Sequence, residues 1–137
     1  MGVDVKLANQ EWKVYLQTIT EDSPQIWRLG WCADYPDENN WVLEVFHPLK
    51  GSNNAKWDPE SASAKKFMEL TEQAAAEPDP ETRKDLYFEA EKILTVDEAI
   101  IIPIYYYTKI ATTKPYVTRT YAPLGGEHWE QWTIEGK

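Results

Sequence analysis

Apolar and polar positions alternate along this chain in several short rhythms, each predicting an element. Val3-Asp-Val-Lys-Leu7 has the two-residue period of a half-buried strand. Between Glu11 and Thr20 the period lengthens: Trp12, Tyr15, Leu16 and Ile19 recur at spacings of three and four, which predicts a short amphipathic helix ended by Ser23-Pro24. Gln25 to Trp31 reads as a second strand running into a loop, Cys32 to Asp37. Strand, helix and strand in that order predict parallel pairing through a crossover, and hence an α/β lobe.

Asn39 to Phe46 predicts a third rhythm, a short helix with Trp41, Val42, Val45 and Phe46 on its buried side. His47 to Trp57 is loop-like, with Pro48, Gly51 and Ser52-Asn-Asn54. Two helices with explicit start signals follow. Asp58-Pro59-Glu60 and Asp79-Pro80-Glu81 each place a side-chain acceptor before a proline, the pattern of an N-cap and first helical position. The first is expected to expose Lys65, Lys66 and Glu69 and to bury Phe67, Leu70 and Ala74; the second to bury Leu86, Ala90, Ile93 and Leu94. Ala99 to Thr108 is β-rich, interrupted at Pro103 and turning near Thr108-Lys109. Beyond Pro115 the periodicity fades, leaving Trp129 and Trp132 without an evident core of their own.

Length and charge narrow what such a chain can do. At 137 residues it suits one domain, and 42% apolar against 27% charged residues supports a packed core. No apolar run approaches the ~20 residues that span a bilayer, and the opening residues carry no signal-peptide pattern. Fourteen basic and 23 acidic residues leave a net charge of −9, which repels nucleic-acid phosphates and anionic membrane surfaces. Seven Trp and eight Tyr are many for this length; such rings fill cores or wall binding clefts. One cysteine, Cys32, and two distant histidines, His47 and His128, make no zinc site, and no cofactor or metal is expected.

Chemistry concentrates in Arg28-Leu-Gly-Trp-Cys-Ala-Asp-Tyr35, at the end of the second predicted strand, where α/β sheets gather their ligands. Asp34 and Arg28 at two ends of a groove would suit a zwitterion, with Trp31 and Tyr35 as apolar walls. The plainer reading makes Arg28 and Asp34 surface charges and Trp31 part of the core. An enzyme could be built from Asp34, Asp37 and Glu38 with His47 as acid or base. Nothing places those groups across a cleft, however, and no phosphate-cradling loop or nucleophile elbow occurs. The chain is therefore not expected to be an enzyme. Two further readings are a glycan-binding module that stacks sugars on exposed aromatics, and a scaffold fragment that binds no small molecule.

Six stretches carry a resemblance. Asn9-Gln-Glu-Trp-Lys13, Gly30-Trp-Cys-Ala-Asp-Tyr35, Ser52-Asn-Asn54, the Asp58-Pro-Glu60 start, Leu86-Tyr to Ala90-Glu91 and Pro103-Ile-Tyr-Tyr-Tyr107 stand in one order and at compatible spacing. The chain resembles, from about Val3 to Tyr116, the C-terminal portion of the periplasmic oligopeptide-binding proteins, family 5 extracytoplasmic solute-binding proteins of peptide ABC transporters. The resemblance implies part of a type II periplasmic-binding-protein fold, a mixed sheet with flanking helices, incomplete beside a two-lobe parent. Residues 1–103 would belong to one ligand-binding lobe, and 104–137 would supply a return strand and tail of the other. Met1-Gly2 reads as an imposed start of a chain cut from a longer one.

The resemblance also implies roles. Asp34 matches the aspartate that holds a bound peptide's α-amino group. Gly30, Cys32 and Ala33 match the segment whose backbone pairs with the peptide as an added strand. Trp31 matches a wall of a side-chain pocket, Arg28 a position able to meet the carboxylate of a short peptide, and Tyr107 the rim of the cleft between lobes. Cys32 lacks an upstream partner and is expected as a free thiol. Short peptides and the permease subunits of the transporter are the implied partners, in the periplasm or outside the cell and membrane-associated. Self-association through Trp129, Trp132 and other apolar surface is expected of a fragment.

Overall fold

The computed structural model describes residues 2–122 and 126–136. The chain divides into two units, Met1–Trp31 and Cys32–Lys137. The first is built on helix α1 (Trp12–Glu21), whose N-terminus is closed by Glu11: its carboxylate accepts the Lys13 amide at 2.9 Å. Ile19 is buried, while Trp12 stacks on Tyr15 at 6.0 Å. The Tyr15 hydroxyl accepts from the Arg28 N–H at 2.9 Å and donates to the Arg28 carbonyl at 2.5 Å, which ties the segment after the helix back to it.

The helix lies where its periodicity predicts, but the two flanking strands do not form. Residues 3–7 and 25–31 are not in strands, and Val3, Val5 and Leu7 are exposed. Alternation provides a strand's two faces but not the neighbouring N–H and C=O groups that make it a strand. The parallel β-α-β arrangement expected from the sequence is thus corrected to a helix with irregular flanks. Among the described residues the single sheet is antiparallel and two residues deep: β1 (Val117–Thr118) pairs with β2 (Thr133–Ile134), Val117 opposite Ile134.

Three helices make the core of the second unit: α2 (Glu38–Phe46), α3 (Ala62–Ala76) and α4 (Pro80–Lys92), the last running on into a π-helical turn, Ile93–Asp97. Asp79 caps α4 through the Thr82 amide at 2.8 Å with Pro80 at the first position, as its sequence signal predicts. The matching signal at Asp58 lies three residues early. Asp58 closes a turn onto the Glu60 amide at 3.0 Å, and Ser61 is the cap, accepting from the Ala64 amide. Phe67, Leu70 and Ala74 of α3 meet Ala90 and Leu94 of the α4 arm, with Val42 and Trp57 completing the cluster. Fully buried alanines at 64, 74 and 90 mark where backbones approach closely enough that a larger side chain would strain the packing.

Burial differs from expectation at particular positions. Trp41 is exposed rather than buried, and Leu86 and Ile93 are half-buried at the margin of the cluster. Tyr87, by contrast, is 1% exposed; its hydroxyl stays satisfied by donating to Asn39 Oδ1 at 3.0 Å. After the π turn, Ile100 and Ile101 direct their N–H groups to the Leu94 carbonyl, and the β-rich stretch beyond them forms no strand and leaves Ile102 and Ile104 exposed. In the tail, Trp129 stacks on Trp132 at 5.9 Å and the Arg119 guanidinium covers the Trp132 ring at 4.6 Å. Trp132 is half-buried and Trp129 exposed, so the tail gathers a small cluster of its own. Among the described residues no helix is long and apolar enough to cross a membrane.

His47, offered by sequence as an acid or base, is structural. It is fully buried at the C-terminus of α2, where Nδ1 accepts the backbone N–H groups of Leu49 at 3.1 Å and Lys50 at 2.9 Å. The ring proton therefore sits on Nε2, which donates to Glu72 at 3.1 Å, and Lys50 holds the other oxygen of that carboxylate at 2.6 Å. Gly51 completes the turn: a Cβ there would collide with the Leu43 carbonyl oxygen and lie 2.7 Å from that of Glu44. Burial pushes the His47 pKa below its ordinary 6.5, against the opposing pull of Glu72. The unfolded chain then binds the proton first, so this contribution is intact above pH 6.5 and is lost as pH falls below it. Urea unfolding at pH 7.5, 6.5 and 5.5 should show stability declining across that window; a flat profile would contradict the assignment.

Candidate functional site

The Cys32–Asp37 loop stands on a chain of polar side chains rooted in the helical core. At its base, Asp37 caps α2 by accepting the Asn39 N–H at 2.8 Å, and the same oxygen receives an Arg83 guanidinium N–H at 2.7 Å from α4. Arg83 also donates through Nε to the Ala74 carbonyl at the end of α3, at 3.1 Å, and lies over the Tyr87 ring. One guanidinium thus joins the starts of α2 and α4 to the end of α3. The hydrogen bond from Arg83 holds the Asp37 carboxyl below the usual carboxylate range. Burial pushes Tyr87 up to about 12 and keeps its hydroxyl a neutral donor.

The upper part of the chain holds the loop itself. Asn39 Nδ2 donates to the Tyr35 hydroxyl at 2.7 Å, and that hydroxyl donates to Glu44 Oε1 at 2.6 Å. This last bond raises the Tyr35 pKa by favouring the protonated phenol. Asn40, fully buried on α2, accepts the Asp34 backbone N–H on Oδ1 at 3.1 Å. Its Nδ2 donates to Glu44 Oε2 at 2.7 Å and to Asp34 Oδ2 at 3.4 Å. Asp34 is itself exposed. The result is a solvent-facing carboxylate on a backbone whose N–H is paired from within.

Of the residues singled out in the sequence, Asp34 and Tyr35 are brought into this network. Cys32 is an exposed free thiol, as expected, and Ala33 beside it is half-buried. Arg28, Gly30 and Trp31 belong to the first unit; Gly30 and Arg28 are exposed, Trp31 half-buried, and Arg28 is anchored through its backbone to Tyr15. Tyr107 lies on the irregular segment after α4, its ring edge-on to Tyr105 at 5.0 Å. The carboxylates considered for catalysis do not share a cleft: Asp37 is spent on Arg83, and Glu38 faces α4, where burial and then Glu91 push its pKa up. Among the described residues no group of three His, Cys, Asp or Glu side chains is placed to hold a metal ion.

Asn39, Asn40, Glu44, Arg83 and Tyr87 escape sequence reading. The adjacent asparagines after an Asp cap are a faint signal, since asparagine is poor in helix interiors but tolerated in a first turn. Arg83 gives none, because its partner lies 46 residues away.

No protein-family model matches the chain. It is similar to the oligopeptide-binding protein OppA of Bacillus subtilis (strain 168), 40% identical over 110 residues, covering 79% of this chain and 19% of that protein. The periplasmic oligopeptide-binding protein OppA of Salmonella typhimurium is 36% identical over 117 residues, covering 85% of this chain and 20% of its own length. The dipeptide-binding protein DppE of Bacillus subtilis is 36% identical over 110 residues, covering 80% and 19%. The chain therefore spans about one fifth of the length of these relatives.

The network predicts what removing its root does. Arg83→Ala leaves Asp37 without its guanidinium, and we expect a loss of about 1–2 kcal/mol in urea unfolding, modest because both groups are partly solvated. Stability matching the wild type would show that Arg83 does not anchor the loop.

Proposed function

The chain is a homologue of one segment of the oligopeptide-binding proteins, and on that premise we propose that it is a peptide-binding component of an ABC transporter, without enzymatic activity. It captures short peptides in an inter-lobe cleft and delivers them to permease subunits from the periplasm or the outer face of the membrane. Residues 1–103 contribute to one lobe and 104–137 to the other. Asp34 receives the peptide's α-amino group. The backbone of Gly30, Cys32 and Ala33 pairs with the peptide as an added strand, a mode that reads main chain rather than side chains. Trp31 and Tyr35 wall a side-chain pocket, Arg28 meets the carboxylate of a short peptide, and Tyr107 borders the cleft.

The observation that carries this reading is the exposed carboxylate of Asp34 on an internally braced loop. A flexible acidic side chain would lose rotamer freedom on meeting an ammonium; one whose backbone is already held loses less. The names of the relatives, which refer to oligopeptides and dipeptides, support the same ligand class. We predict that trialanine binds the wild-type chain in calorimetric titration and that Asp34→Asn weakens it at least about tenfold, ~1.4 kcal/mol. Equal affinity of wild type and variant would remove Asp34 as the amine anchor.

A further inference from the structure

Resting on that reading of Asp34, we propose that Asn40 is the positioning residue of the site: it sets the Asp34 carboxylate and so confers preference for a free α-amino group over a blocked one. Asn40 is 0% exposed, and a fully buried amide is costly unless its donors and acceptor are satisfied. Its acceptor takes the Asp34 N–H at 3.1 Å, which fixes the loop backbone. Its donor group reaches Asp34 Oδ2 at 3.4 Å and Glu44 Oε2 at 2.7 Å, which fixes the side chain. One residue therefore grips Asp34 at both backbone and carboxylate, six positions away in sequence.

Charge gives this choice of residue its meaning. The Asn40 amide and the Tyr35 hydroxyl are neutral donors to the Asp34 and Glu44 carboxylates. A lysine or arginine in the place of Asn40 could reach the Asp34 carboxylate but would cancel the charge an ammonium needs, and would offer the Asp34 N–H no acceptor. The amide bridges the two carboxyl groups without adding a positive charge beside them. An ammonium bound at Asp34 then gains charge attraction with no competing cation beside it, whereas an N-acetylated peptide can offer only a neutral amide N–H. The grip also removes rotamer freedom from Asp34 before the ligand arrives.

The test uses the 137-residue chain, trialanine and N-acetyl-trialanine. In the wild type, the Asn40 side-chain amide resonances should shift on adding trialanine and stay still on adding the acetylated peptide. Asn40→Ala should reduce the preference for trialanine about tenfold while acetyl-peptide affinity changes less than about twofold; general damage to the fold would weaken both alike. Independently of ligand, the Asp34 N–H should be protected from hydrogen exchange in the wild type and lose that protection in Asn40→Ala. Asn40→Asp, which keeps an acceptor, should retain it. An unmoved Asn40 resonance with trialanine bound, or an undiminished preference in a folded Asn40→Ala, overturns the proposal. If the wild type binds neither peptide, the amine-anchor reading fails by itself. The exchange data then decide about Asn40 separately: an unprotected Asp34 N–H, or one indifferent to Asn40→Ala, overturns its positioning role.

Discussion

The ion pair between Arg83 and Asp37 is the joint on which the acidic loop depends. It connects the α3–α4 hairpin, the best-packed part of the molecule, to the residue that both caps α2 and closes the loop. Arg83 also closes the Ala74 carbonyl, so one guanidinium bridges the hairpin and Asp37. Tyr87 repeats the connection one turn further along, carrying its hydroxyl from the core to Asn39. Polar order therefore propagates outward from apolar packing: Phe67 and Leu94 bury, Arg83 and Tyr87 follow, and Asn39 and Asn40 hand the constraint to Asp34 and Tyr35. Each step satisfies a group that burial would otherwise penalise.

The same logic explains which parts of the fold were legible in sequence. Helices carry their hydrogen bonds within themselves, so periodicity and caps locate them: α1, α3 and α4 lie where Trp12–Ile19, Phe67–Ala74 and Asp79-Pro80 predict. Strands do not. Val3 to Leu7 and Ala99 to Thr108 have strand composition, yet their backbone partners must come from elsewhere, and they lie outside any sheet here. The small sheet that does form comes from Val117 and Thr133 regions with little periodic signal. Trp41 shows the limit of helical spacing, since its neighbour Asn40 takes the buried position instead, for polar rather than apolar reasons.

At the candidate site the division is similar. Asp34 and Tyr35 stood out because unusual residue types sit together in Gly30-Trp-Cys-Ala-Asp-Tyr35. Their supports did not, because hydrogen-bond geometry over tens of residues leaves no local pattern. An acidic loop held by neutral donors also gives the net charge of −9 a local meaning. The molecule disfavours anions broadly, and the cation anchor proposed at Asp34 would draw on the same sign of charge.

On the proposed reading, the folded chain presents a ready anchor for short peptides. A thermal melt followed by tryptophan fluorescence, with and without a mixture of tri- to pentapeptides, tests it most directly. A ligand that binds only the folded state at ~100-fold excess over Kd adds about 2.7 kcal/mol, enough to raise Tm by several degrees. The expected result is a single cooperative transition that peptides move upward. A cooperative transition at the same temperature with and without peptide would contradict it.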